Sequence, residues 1–235
     1  MEKAKRAVFS VITYDQNDKI LNTGNGFYIT EDGVALSDYS LFKGAQRAVV
    51  MNFDGVQMPV ETVLGANDMY DVVKFHVAIS GKKVPALTLA ATPPTVGGEV
   101  YLLPYSTQKD RSYTTGKVKE ATKIAEKYFY YTLDMHLKDK MVSCPLMTAD
   151  GQVFGLAQKS SGQDTATICY AIDTNFGMAQ NISALSYGDM ALKGINIKKA
   201  LPDTEEQALV FLYMASSQLS PEKYTELLND FISQY

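Results

Sequence analysis

The sequence predicts an all-β body of short antiparallel strands, a barrel or sandwich, reaching to about residue 175, and a helical hairpin over residues 203–235. Two patterns carry that expectation. Up to about residue 175, β-branched and aromatic residues form short runs at regular spacing, punctuated by Gly, Asp and Pro. After Leu201-Pro202 the apolar period changes from two to that of a helix. The 235 residues, 46% hydrophobic and 20% charged, suffice for a real core in one large domain or two small ones.

The elements follow in order. Val8–Tyr14 is β-branched and aromatic, and Asp15-Gln16-Asn17-Asp18 supplies a turn. Gly24–Thr30 reads as the next strand, Glu31-Asp32-Gly33 as a turn, and Val34-Ala35-Leu36 as the start of a third. Ala48–Phe53 and Val56–Val63 make a hairpin about Asp54-Gly55, a pair that tolerates positive φ. Further strands are expected at Val72–Ile79, Glu99–Leu103, Lys117–Ala121, Tyr128–Asp134, Leu146–Thr148 and Gln152–Ala157. Thr92-Pro93-Pro94 stands midway and joins two halves.

In the hairpin, Asp203-x-x-Glu206 reads as a capping box opening a helix that runs apolar over Ala208–Ala215. Ser220-Pro221 places an N-cap and a proline at the start of a second helix. There Tyr224, Leu227, Leu228, Phe231, Ile232 and Tyr235 fall on one face. That face is expected to pack on the strands or on helical repeats beyond the chain. The hairpin resembles one tetratricopeptide-like repeat unit in period only.

Composition closes several function classes. The net charge of −4, with both signs scattered, lacks the basic stripe that nucleic-acid binding needs. With only Cys144, Cys169, His76 and His136, and no CxxC or HxxxH spacing, neither metal nor cofactor is expected. The cysteines are read as buried free thiols, a Cys144–Cys169 disulfide being the alternative. No run of apolar residues is long enough to insert in a membrane. Met1–Arg6 is basic, but Ala7–Tyr14 alternates as a strand does, so no signal peptide is expected in the chain as given.

Residues Gly24-Asn25-Gly26-Phe27, Asp32-Gly33 and Leu36-Ser37-Asp38 carry a further message. So do Gly65, Asp71-Val72-Val73, Pro85–Leu89, Val96-Gly97, Thr114–Val118, Pro145–Gly155 and Tyr170-Ala171-Ile172. In this order and spacing, over about residues 8–180, they resemble landmarks of trypsin-like serine proteases of the HtrA (Deg) type. No single landmark is specific, and their order is what persuades. The resemblance implies two six-stranded antiparallel β-barrels, residues 1–90 and 91–180. A linker at 181–202 and the helical hairpin at 203–235 would follow. It also implies a bacterial, exported or periplasmic setting.

The resemblance places Ser40 at the family's catalytic histidine, Asp71 at its aspartate and Val142 at its serine nucleophile. Ser143 and Cys144 stand where two glycines follow that serine. A serine nucleophile needs a histidine to take its proton and an aspartate to orient the histidine. Of these only Asp71 remains, so none of the triad positions is expected to be active. Lys140–Cys144 also lacks the glycines of an oxyanion loop. Displaced candidates are Ser143 or Cys144 as nucleophile, with His136 as base. His76, on the Asp71 strand, is expected to point away from the cleft. Asp71 is expected to be buried at the barrel junction and bonded to the Ser40 hydroxyl or nearby backbone. Cys144 and Cys169 should fill the side-chain slot of an active protease.

The expectation is therefore a non-catalytic module that binds or scaffolds a protein or peptide. The alternative is an active serine or cysteine endopeptidase rearranged about Ser143 and Cys144.

Overall fold

The computed structural model describes residues 2–81, 83–107, 112–159 and 167–235. A short helix, α1 (Glu2–Lys5), leads into the first barrel. Its elements are β1 (Val8–Tyr14), β2 (Ile20–Tyr28), β3 (Val34–Ser37), α2 (Tyr39–Phe42), β4 (Arg47–Met51), β5 (Gln57–Asn67) and β6 (Val72–Val77). The second barrel holds β7 (Glu99–Leu102), β8 (Thr114–Ile124), β9 (Tyr128–Asp134), β10 (Pro145–Met147), β11 (Val153–Gln158) and β12 (Ile168–Asp173). Among the described residues the strands close antiparallel in the orders β1-β2-β3-β6-β5-β4 and β10-β11-β12-β9-β8-β7. This is the fold class expected from the sequence.

Alternation along each strand sends one set of side chains inward. In barrel 1, Phe9 packs on Tyr28 with ring centroids 4.7 Å apart, and Phe42 on Phe75 at 4.8 Å. Barrel 2 is filled by Val100, Leu102, Tyr131, Leu133, Leu146, Leu156 and Ala171, all essentially sealed from solvent. Its core cluster continues into Phe27, Leu36 and Val72 of barrel 1, so apolar packing joins the two barrels.

Local chemistry differs from expectation at a few places. The β4–β5 turn does contain Gly55 at φ 77°. Its organiser, however, is Asn52, whose side-chain oxygen accepts from the N–H groups of Asp54 and Val56. The helix α5 (Glu205–Ser216) is capped by Thr204, which accepts from Gln207 N, rather than by an Asp203–Glu206 box. Thr204 wins because a cap must sit directly before the first helical residue. Ser220 caps α6 (Pro221–Gln234) as the sequence indicates.

After β12 the chain returns to barrel 1. It forms α3 (Thr174–Met178) and α4 (Met190–Lys193) and then lies along β5. Strand β4 pairs β5 only at Gln57–Pro59, and β5 bulges near Val63, which leaves Val63 free to bond outward. Lys198 O accepts from Val63 N at 2.8 Å, and Ala200 N donates to Val63 O at 2.9 Å. Gly65 permits the close approach: a Cβ there would stand 2.3 Å from the Gln180 carbonyl oxygen. Lys74, buried on β6, donates to Met178 O at 2.7 Å and to Asn181 Oδ1, fastening the same segment. Its burial draws the amine down to about 8. The hairpin then packs on barrel 1 through Phe211, Leu227 and Phe231. Leu227 and Phe231 of α6 thus face the barrel, whereas Ile232 and Tyr235 of the same stripe are exposed, as are Leu209, Val210 and Tyr213 of α5.

Candidate functional site

The junction of the barrels gathers the residues singled out by sequence. Asp38 directly precedes α2, where an aspartate would ordinarily accept from the helix's first N–H groups. It does not cap. Asp71 does so from the loop before β6: its Oδ1 accepts from Ser40 N at 2.6 Å and its Oδ2 from Ser40 Oγ at 3.0 Å. Ser40 and Asp71 are therefore partners, as expected. Asp71, though, is half-buried rather than buried, and Ser40 is exposed. The reason is that α2 is a single turn at the barrel rim, so its cap lies at the surface. Asp71 itself sits in the left-handed region at φ 48°.

Relieved of capping, Asp38 turns inward to barrel 2. The Ser143 hydroxyl donates to its Oδ2 at 2.6 Å, and both residues are buried. Asp38 Oδ1 has no hydrogen-bond partner among the described residues. Burial first, and repulsion from Asp71 second, hold the Asp38 carboxyl well above the usual carboxylate range. The Ser143 and Gln158 side chains offset that in part. Gln158 Nε2 also donates to Tyr70 O at 2.7 Å and Asp71 O at 3.0 Å, tying β11 to the Asp71 loop.

The loop between β9 and β10 holds the remaining candidates. Asp139–Met141 form a 3-10 turn, and Val142 N closes on Asp139 O at 3.3 Å. Asn25 of β2 reaches across the junction, its Nδ2 donating to Lys140 O at 3.0 Å and Val142 O at 2.8 Å. Asn25 O in turn accepts from Ser37 Oγ at 2.6 Å. Ser143 then takes φ 63°, a conformation that glycine adopts without strain, and donates its N–H to Ala157 O at 2.8 Å. Sequence reasoning found the glycine position but not that serine would keep its backbone shape. It also missed Asp38, Asn25 and Gln158, because each acts across a barrel boundary that no local pattern reveals.

Cys144 and Cys169 are free, and neither meets solvent. Burial pushes both thiols up to about 12. Their side chains belong to the barrel 2 core cluster. His76 is held by Glu61 at 2.9 Å and by the Asp32 carbonyl at 2.8 Å, beside β5 and the β2–β3 turn. His136 is exposed on the loop after β9.

Chemically, the junction can hold one proton on the Asp38–Ser143 pair. Burial disfavours the charged form of Asp38, so the pair keeps that proton to higher pH than a free carboxyl does. Among the described residues no group of three or more His, Cys, Asp or Glu side chains is placed to hold a metal ion. No helix among them is long and apolar enough to cross a membrane.

Comparison with known families matches the trypsin-like peptidase domain to residues 24–156. The matched stretch runs from β2 into β11, through every residue of the junction except Gln158. A comparison with curated proteins gives no match.

Proposed function

This chain belongs to the trypsin-like peptidase domain family, and from that premise we propose that it is a non-catalytic member that binds or scaffolds a protein or peptide. One observation carries the reading. Ser40, which the residue landmarks put at the family's base position, is committed to Asp71; by the same landmarks Val142 stands at the nucleophile position. A hydroxyl of ordinary pKa cannot serve as the base, and a valine side chain cannot attack.

Two further features support it. In these enzymes the nucleophile's own N–H helps to bind the oxyanion. Here Val142 N is spent on Asp139 O within a 3-10 turn. Both thiols are buried in the core, which agrees with their filling the space that an open side-chain slot would need.

The finer kinship, to bacterial exported proteases of the HtrA type, rests on the residue landmarks and belongs to the same proposal. The hairpin serves in it as the attachment for a partner or for further helical repeats. Leu209, Val210 and Tyr213 give it an outward apolar face.

The rival reading, an endopeptidase rearranged about Ser143 or Cys144, draws on the 2.6 Å bond from Ser143 to Asp38. Its weakness is that substrate has no contact with a hydroxyl or thiol sealed from solvent. A fluorophosphonate probe and iodoacetamide, applied to the folded protein at pH 5–9, separate the two. The proposal expects no stoichiometric labelling and no casein cleavage. Labelling mapped to Ser143 or Cys144, together with cleavage lost in Ser143→Ala or Cys144→Ala, would establish the rival.

A further inference from the structure

Between the returning segment and the C-terminal hairpin lies a groove of about 400 Å³. That falls within the range of small-molecule sites. Its floor is apolar, made by Ile182, Leu192, Ile197, Phe211, Leu219 and Leu227. The charged residues at its walls are uneven: Lys193, Lys198, Lys199 and Lys223 against Glu226 and Asp230. Asp230 is already paired, its Oδ1 accepting from Lys198 Nζ at 2.7 Å. Among the described residues neither Lys199 nor Lys223 has a carboxylate within ion-pair distance. This is a cationic hollow on a chain whose net charge is −4.

We propose that the groove binds a small amphipathic carboxylate, its alkyl or aryl body on the apolar floor and its carboxylate between the Lys199 and Lys223 ammonium groups.

The physical argument rests on what each group lacks. Lys199 is half-buried and donates only to the Ile195 carbonyl, a neutral acceptor. Desolvation first, and the Lys223 charge second, draw its amine down to about 8. An anion seated between the two lysines relieves both costs, since it restores a partner to Lys199 and screens it from Lys223. A cation would add a third like charge. A neutral alcohol would gain only the apolar floor. The site is thus selective by charge and fed by hydrophobic burial, and it lies apart from the barrel junction.

The test is calorimetric titration of the full chain at pH 7.5 with octanoate, octylamine and acetate. Octanoate is expected to bind at least tenfold more tightly than octylamine, and acetate, lacking the apolar body, at least tenfold more weakly than octanoate. Bound octanoate should also slow acylation of Lys199 by an amine-reactive reagent, read by peptide mass spectrometry. Lys199→Met should erase the preference for carboxylate. Lys223→Gln, at an exposed position, should reduce it without risk to the fold. Equal affinities for octanoate and octylamine, or no binding by octanoate, would overturn the proposal. So would a preference that survives in folded Lys199→Met, or octanoate binding that leaves Lys199 acylation unchanged.

Discussion

The hydroxyl of Ser143 in the second barrel donates a 2.6 Å hydrogen bond to the Asp38 carboxyl of the first, at a point where both are closed off from water. The bond has a titration attached to it. Asp38 is held above its ordinary value by burial and then by Asp71, so the folded state binds its proton more tightly than the unfolded chain does. Stability from this group is full below the unfolded carboxylate value, about 4. It is lost as pH rises through the higher folded value. Asp38→Asn should remove that dependence and raise the melting temperature near pH 7–8 by a few degrees. Thermal unfolding of both proteins from pH 4 to 9 checks this. Asp173, also raised by burial, leaves a residual slope in each. A variant less stable than the parent at pH 8 would contradict the account.

At Ser143 the side chain and the backbone want different residues. The hydroxyl holds Asp38, whereas φ 63° suits glycine. Ser143→Ala loses the bond and keeps the strain, and should cost about 1–3 kcal/mol, the usual penalty for a buried group left unpaired. Ser143→Gly loses the bond but relieves a left-handed residue, a gain of about 1–2 kcal/mol. Urea unfolding should therefore rank the glycine variant above the alanine variant. The reverse order would show that the backbone is not strained.

Asn25 bonds two carbonyls of the loop from Lys140 to Cys144 with one amide. Asn25→Ala should leave both without that donor and loosen the loop. Amide exchange over residues 139–144 should rise at least tenfold, with little change in β8 or β9. Asn25→Asp, which faces the carbonyls with acceptors, should be worse. Unchanged exchange in both variants would refute the assignment.

The thiols give a cheap check on the proposal that they fill the side-chain slot. With Cys144 and Cys169 buried and pushed up to about 12, a disulfide reagent at pH 8 should react only as the protein unfolds. Rapid labelling of either cysteine in the native state would mean that the slot opens.

Much of the architecture was legible because strand alternation and turn residues are local signals. Val8–Tyr14 and Tyr128–Asp134 begin and end where the pattern puts them. Part of the site was legible, since the expected pairing of Ser40 with Asp71 is present. It was illegible where partners meet through tertiary structure. Asp38 carries every mark of a helix cap and does not serve as one, because Asp71, distant in sequence, takes the role. The cap of α5 was misplaced by one residue, since Asp203 and Thr204 are both competent and only the backbone path chooses.

The strap that Lys198 and Ala200 lay along Val63 has a consequence for biosynthesis. The first barrel emerges from the ribosome first, yet it is finished last. Until residues 198–200 are made, β5 keeps the outward-facing bonds of Val63 bare. Nascent chains in that interval carry an open pairing edge in an otherwise folded half, a hazard for self-association. The cost of closing so long a loop also falls late, which slows the final step relative to formation of either barrel. Two barrels that look like successive beads are, in the order of their making, a clasp whose tongue is its last part.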